Sequence, residues 1–538
     1  MRFWQLNRTP IELFGDEIDV GLQAYSIMTT GRDYMGNKTP VMFRSFSEYR
    51  LPFQLYAAVP FIKIFGLNPT GVRMTAVLMG LLSLVLFYLL VRLLFDRKLA
   101  LISSFFMLIS PWHFNFSRQA NDAGMLLPFV LAGTLFFVKG VKDHKYLLFS
   151  AIIFGLSFYS YAIASVFTPL FVISLIIIYR KEIFKIPLSK LTLAGLLGLL
   201  VIFPYLIFTV KGISSRRFSS ISAIPEPKLM QEVVDKRRWS TSILTRAFYN
   251  NKTVAAEIVY KNYLKAFSSA FLFGEGDPNM RQGIEGYGQM YHFDLILLIT
   301  GGYLFLSSLI KENRRKSSLV ILLWLLFSAL PSALTYEGGT HASRLILMLP
   351  PFLFISALGF KSLLNNSNNL RSKILLVIVL FIMLADITRF YHRYFFIWRN
   401  ESWRFWQYGF AETITYVKSI DADYSQIFFN NTYEPILPRF LFWYGYDMNK
   451  FRSGFSGDVH ITDLDSGIDG FKLGDKYCFG DLKKPLENIA IPGRLIVASA
   501  EKDATNPLIF EKPELELLKT IKSPTGETIF YIFTGRKI

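Results

Sequence analysis

Ten stretches of this sequence are almost free of charge: about 70–95, 99–113, 122–140, 146–162, 163–179, 191–210, 292–310, 317–335, 345–363 and 373–391. Each approaches the ~20 apolar residues needed to cross the hydrocarbon core of a bilayer. Lipid offers the backbone no hydrogen-bond partners, so such stretches must be helices that satisfy their own peptide groups. The expected class is therefore a polytopic α-helical membrane protein. Composition agrees, with 52% hydrophobic and only 18% charged residues and 52 Phe among 538 residues. The division at 146–179 runs through Tyr159-Ser160-Tyr161-Ala162 with almost no loop. A net charge of +18 would suggest nucleic acid in a soluble chain, but here Lys and Arg collect in short loops between spans, and no nucleic-acid partner is expected. Cys478 stands alone, which excludes an intrachain disulfide and a cysteine metal cluster.

The basic loops alternate. One set carries Arg97-Lys98; Lys139, Lys142 and Lys145; Arg180, Lys181, Lys185 and Lys190; Lys311, Arg314, Arg315 and Lys316; and Lys361, Arg371 and Lys373. The positive-inside rule places this set in the cytoplasm of a multi-pass plasma-membrane protein. Residues 1–69, the loop 113–122, the tight turn near 161, the insert 211–291, the loop 336–344 and the tail 392–538 then face outward. The chain would begin outside with no signal peptide visible. A further N-terminal helix is thus expected ahead of Met1, with Met1-Arg2-Phe3-Trp4 as its tail end.

Three regions follow: a first external loop, 1–69; a transmembrane domain, 70–391, with its insert; and an external domain, 392–538. In the first, Glu17 to Gly31 reads as a short helix closed by Gly31, and Leu51 to Phe65 as an amphipathic surface segment. In the third, charge and Gly/Pro/Asp content rise, a helix is expected over 403–419, and Gln426–Phe429, Arg494–Ala498 and Thr528–Phe533 read as strands of a small soluble α/β domain. The aromatic run Phe440-Leu441-Phe442-Trp443-Tyr444 could stack on sugar, but core packing is the favoured reading.

Polar side chains concentrate at the expected outer face. Asp16 and Glu17 open the first helix; the plain alternative is a helix start stabilised by the dipole. Phe43 to Pro52 carries Tyr49 and Arg50, and Ser110 to Asp122 carries His113, Arg118 and Asp122. Thr340 to Arg344 carries His341 and Arg344. Arginine at a membrane surface suits phosphate, because the guanidinium offers paired donors and stays charged; headgroup anchoring is the alternative. His113 and His341 on separate loops are weak grounds for a metal, and packing or hydrogen bonding is the favoured role. No carboxylate or Lys occupies a confident mid-span position, and no two-fold repeat is visible, which disfavours a transporter or lipid flippase. An inactive membrane anchor for the outer domain is the third reading.

Ordered along the chain, Gly15-Asp16-Glu17, Tyr25-Ser26-Ile27, Thr30-Gly31-Arg32-Asp33, Ser110-Pro111-Trp112-His113, Phe116-Ser117-Arg118, Arg217-Phe218-Ser219-Ser220, Lys236-Arg237-Arg238 and Gly276-Asp277-Pro278-Asn279-Met280-Arg281 resemble the GT-C glycosyltransferases. The similarity is to the bacterial branch of the dolichyl-phosphate-mannose–protein mannosyltransferase family, glycosyltransferase family 39, with its aminoarabinose transferase relatives. It covers about residues 10–360 well and the tail loosely.

That resemblance implies a GT-C fold and transfer of a sugar, mannose or a related hexose, from a polyprenyl-phosphate donor to a protein, lipid or glycan acceptor at the outer leaflet. It implies Asp16 as catalytic base, with Glu17 orienting it or binding acceptor. Arg50, Arg118 and Arg344 would bind the donor phosphate. Arg50 stands in Arg50-Leu51-Pro52 where many relatives carry Lys-Pro-Pro. Tyr49, His113, Asp122, His341, Asp277 and Arg281 would serve the acceptor or support the site. Gln282 replaces a His that relatives often carry. No cofactor is firmly implied, and a divalent metal is left open. Inversion at the anomeric carbon needs a base on one side and a stabilised leaving phosphate on the other.

Overall fold

The computed structural model describes residues 1–46, 49–211, 225–239, 242–336, 338–433, 435–455, 462–463 and 468–536. Among these, seven helices are long and apolar enough to cross a membrane: Pro69–Leu94, Asp122–Gly140, Leu188–Val210, His292–Ile310, Glu312–Ala333, Ile346–Asn365 and Leu370–Glu401. The other expected spans appear as shorter helices, Arg97–Ile109, Lys145–Ser157 and Ala164–Ile178. Local chemistry stops the first two early, while the third matches its expected bounds to within a residue. Pro111 cannot continue the helix before it, and Ser110 turns to cap the next one through His113 N–H at 3.3 Å. After Ser157, the hydroxyls of Ser157 and Ser160 bond to the carbonyls of Phe154 and Ser157 at 2.6 and 2.7 Å, and the chain turns. Leu196, Leu199, Leu200 and Phe203 lie exposed along Leu188–Val210, as expected of a helix bathed in lipid.

The chain forms two compact units. The first comprises Met1–Arg2, Val41–Gln54 and Ala76–Tyr394. Small residues let its helices approach closely. A Cβ on Gly301 would lie 2.0 Å from the Ile355 carbonyl oxygen, and one on Gly359 would lie 2.4 Å from that of Leu297. His292–Ile310 and Leu349–Asn365 therefore cross with backbones in contact. A two-stranded ladder, β1 (Phe43–Arg44) with β2 (Tyr49–Arg50), lies in this unit. Met42 and Leu51 pack there with Phe158 and Tyr205.

The second unit comprises Phe3–Pro40, Leu55–Thr75 and Phe395–Ile538. It holds a seven-stranded sheet of β3 (Gln426–Asn430), β4 (Thr462–Asp463), β5 (Ile468–Leu473), β6 (Tyr477–Leu482), β7 (Arg494–Ser499), β8 (Leu515–Lys522) and β9 (Thr528–Gly535), in the order β4-β5-β6-β3-β7-β9-β8. β3 runs parallel to both neighbours, and its continuous apolar run Ile427-Phe428-Phe429 is buried, as a central parallel strand requires. All three expected strands are present. The expected helix begins later, as Phe410–Ile420, because Gln407 and Gly409 adopt left-handed backbone at φ 52° and 108°. Phe440, Leu441 and Phe442 are core residues; the Phe440 ring lies 5.3 Å from that of Phe429.

Helix α1 (Gly15–Thr30) is part of this second unit. It ends at Gly31, whose φ of 68° gives the left-handed C-cap. It seats on the helix Ile436–Tyr444 through Gly21, where a Cβ would meet the Phe442 ring at 2.4 Å.

Candidate active site

Adjacent helical residues point about 100° apart, so Asp16 and Glu17 cannot share a direction. Asp16 is exposed in the first turn of α1, where a carboxylate is favoured by the helix dipole. Glu17 is fully buried and forms a two-pronged ion pair with Arg73: Nε to Oε1 at 3.0 Å and Nη2 to Oε2 at 2.9 Å, both side chains 0% exposed. Arg73 also donates to the carbonyls of Leu6, Pro10 and Glu12 at 3.0, 2.9 and 2.6 Å. All five of its N–H groups are used, and its guanidinium lies 5.5 Å from the centre of the Trp406 ring. Residues 6–17 are thereby fastened to the start of the helix Pro69–Leu94.

Further contacts hold the beginning of α1. The Gly15 N–H donates to Gln407 Oε1 at 2.9 Å. Glu12 accepts from the N–H groups of Gly409 and Ala411, both at 2.9 Å, and so caps the helix Phe410–Ile420 from a distant part of the chain. Burial pushes the Glu12 carboxyl up to about 8, against the pull of those two amides. Later in the loop, Asp33 accepts from the backbone and side chain of Asn37 at 2.7 and 2.9 Å.

In the first unit, three loops interlock. Trp112 Nε1 donates to the Ala342 carbonyl at 3.2 Å, Ala342 N–H to Asp277 Oδ2 at 2.7 Å, and Gln119 Nε2 to the Arg281 carbonyl at 2.7 Å. Gln282 accepts from the Ser343 N–H at 3.2 Å. Asp277, His341 and Arg344 come together in one recess of about 540 Å3, joined by Asn262, Lys265 and Asn279. Burial raises Asp277 to about 6, opposed by the N–H groups of Ala342 and Asn279. Burial, then the charges of Arg344 and Arg281, holds His341 down to about 3, so it is neutral, and its Nδ1 lies 2.9 Å from Ser343 Oγ. Arg344 donates to Thr335 Oγ1 at 2.7 Å. On the Tyr336 wall, the Lys228 ammonium lies 4.2 Å from the ring centre. This is a polar, basic recess.

Lys265 and Asn262 carry no motif and were not expected; both fall in the polar insert. Asn262 donates to the Thr335 carbonyl at 2.9 Å. Gly339 leaves space for the stem of Lys265: a Cβ there would lie 2.8 Å from Lys265 Cβ.

Other candidates have different surroundings. Arg118 is buried, donates to the carbonyls of Met1 and Arg2 at 2.9 and 2.7 Å, and stacks on Phe114 and Tyr394. Arg2 in turn donates to Ser117 Oγ at 2.9 Å and to His113 Nδ1 at 2.8 Å. A guanidinium cannot accept, so His113 Nδ1 is the acceptor and the ring is neutral; burial, then Arg2, pushes its pKa well down. Arg281 Nε donates to Asn279 Oδ1 at 3.3 Å. Asp122 opens the helix Asp122–Gly140, one residue after the cap Asn121. Tyr49 and Arg50 form β2, and Tyr49 packs against the Met42 and Leu51 cluster. Asp16 and Glu17 belong to the second unit, and the nine other expected residues to the first. Ser47, Glu48 and the stretch Arg217–Ser220 lie outside the described residues. Among the described residues, no three His, Cys, Asp or Glu side chains form a group that could hold a metal ion.

The architecture is that of a GT-C membrane protein with a C-terminal α/β domain. The apo crystal structure of ArnT from Cupriavidus metallidurans superposes with a TM-score of 0.52 at 12% identity, covering 99% of this chain and 95% of that one. The same protein bound to undecaprenyl phosphate gives 0.48 at 12% identity over 99% and 95% of the two chains. The oligosaccharyltransferase AglB from Archaeoglobus fulgidus, with an inhibitory peptide and a dolichol-phosphate, gives 0.45 at 14% identity over 78% and 56%. Residues 51–208 match the family model of dolichyl-phosphate-mannose-protein mannosyltransferases. No curated protein matches the sequence.

Proposed function

We propose that this protein is an inverting glycosyltransferase that moves a sugar, mannose or a related hexose, from a polyprenyl-phosphate carrier to an acceptor hydroxyl on the outer face of the cell membrane. The observation that carries this reading is an exposed carboxylate, Asp16, at the head of a helix locked in place by the buried Glu17–Arg73 pair, in a chain of GT-C fold. Asp16 takes the proton of the attacking hydroxyl. Glu17 is the positioning residue that fixes the turn. The leaving phosphate is stabilised by guanidinium and ammonium groups, for which the recess holding Arg344 and Lys265 is the best-formed candidate. Arg50 and Arg118 add positive charge, and His113, Arg281, Tyr49 and Asp122 support the loops around it. The family description at residues 51–208 supports a dolichyl-type phosphate donor.

Mass spectrometry of surface glycans and glycoproteins from cells with and without this protein tests the reading. Loss of one hexose-bearing species on deletion, with return on complementation, is the expected result. An unchanged profile overturns it.

A further inference from the structure

The second unit holds another recess, of about 390 Å3, that the mechanism above does not use. Trp403, Tyr408 and Tyr433 line it, none of them fully buried, together with Gln407, Glu501 and Glu527. Arg404 forms an ion pair with Glu527 and stacks over Trp403 at 5.1 Å from the ring centre. Its size is that of a small-molecule site. Aromatic rings with carboxylates and an amide beside them suit a sugar, whose C–H faces pack on aromatic rings and whose hydroxyls need donors and acceptors in several directions. An apolar side chain or lipid tail would leave the same polar groups desolvated without partners.

Gln407 gives the recess its consequence. Its backbone sits at φ 52°, a region that a non-glycine residue adopts only when its surroundings hold it there. Its Oε1 accepts from the Gly15 N–H at 2.9 Å and from the Arg439 guanidinium. Both partners can only donate, so the amide oxygen is fixed on that side and the nitrogen on the other. No described protein group accepts from Nε2. Gly15 immediately precedes Asp16.

We infer that this recess binds one sugar residue of a glycan acceptor, a sugar hydroxyl accepting from Gln407 Nε2, and that Gln407 passes its occupancy to the head of α1. The inference takes the word acceptor from the proposed transferase function and deepens it by naming a carbohydrate as the acceptor class.

The test titrates detergent-solubilised full-length protein with methyl α-mannoside, mannobiose and chitobiose, read by saturation-transfer NMR. At least one saccharide binds saturably, Trp403→Ala and Tyr433→Ala each weaken it ten-fold or more, and Trp403→Phe retains it. Absence of saturable binding by the wild type, or unchanged binding in both alanine variants, overturns the inference. The readout needs no turnover. Sugar binding without any transferase activity defeats the proposed function and leaves the recess standing. Transfer without sugar binding here defeats the recess alone.

Discussion

Replacing Glu17 with Gln removes one negative charge and leaves the side-chain shape almost unchanged. The structure makes the consequence large. Arg73 and Glu17 are both 0% exposed, and two of the five Arg73 hydrogen bonds go to this carboxylate, at 3.0 and 2.9 Å. A glutamine accepts one of them and turns its own N–H groups toward the other donor, while the guanidinium charge stays buried without a counter-charge. Removing one partner of a buried ion pair costs about 3–5 kcal/mol. That is a large share of a folding free energy of about 5–15 kcal/mol. At about 2–4 °C per kcal/mol for a unit of this size, the melting midpoint falls by about 6–20 °C. Thermal unfolding of the detergent-purified protein, followed by tryptophan fluorescence, measures it. Arg73→Met falls further, because the carbonyls of Leu6, Pro10 and Glu12 also lose their donor. An unchanged midpoint for Glu17→Gln would refute the reasoning. An unchanged midpoint with transfer abolished would make Glu17 a group acting on substrate rather than a positioning residue.

Glu12 gives a pH dependence. Its folded-state pKa is raised to about 8, so the folded chain keeps a proton that the unfolded chain releases. Stability is therefore greatest below the ordinary carboxyl range, falls as pH rises toward about 8, and levels off above; Glu12→Gln flattens that slope in melting curves taken between about pH 5 and pH 9. In the basic recess, Arg344→Gln and Lys265→Gln each remove a charge-assisted contact worth about 1.5–3 kcal/mol, which raises KM for a polyprenyl-phosphate sugar about 10–100-fold in steady-state assays. An unchanged KM in both would move the phosphate elsewhere.

The spans are legible because an apolar run of bilayer length seldom forms anything but a membrane helix. Helices such as Asp122–Gly140 and His292–Ile310 fall where hydropathy puts them. The spans expected at 99–113 and 146–162 end sooner than they read, since hydropathy does not register the Ser110-Pro111 break and the serine-to-carbonyl bonds that end them, whereas Ala164–Ile178 falls within a residue of its expected bounds. Gly31 and the strand runs are readable from backbone preference and β-branched or aromatic content. Asp16 and Glu17 look equivalent in sequence, and only the helix rotation separates an exposed carboxylate from a buried one. Arg73 is the available signal: a charge inside an otherwise apolar span seldom lacks a partner. Its partner, 56 residues away, cannot be named from sequence. Lys265, Asn262 and Gln407 carry no signal. Their roles arise from a glycine that leaves room for a stem, and from turns that bring distant loops together.

The most direct measurement uses purified protein, a synthetic polyprenyl-phosphate hexose carrying a radiolabel, and a glycan acceptor. Asp16 is exposed, and Asp16→Asn removes its charge while keeping the side-chain shape. The wild type transfers label to the acceptor, and Asp16→Asn lowers kcat by about 10²–10⁴, the span expected for losing a general base. Transfer by Asp16→Asn at the wild-type rate would contradict the assignment of the base. No transfer by the wild type from any polyprenyl-phosphate hexose would contradict the account as a whole.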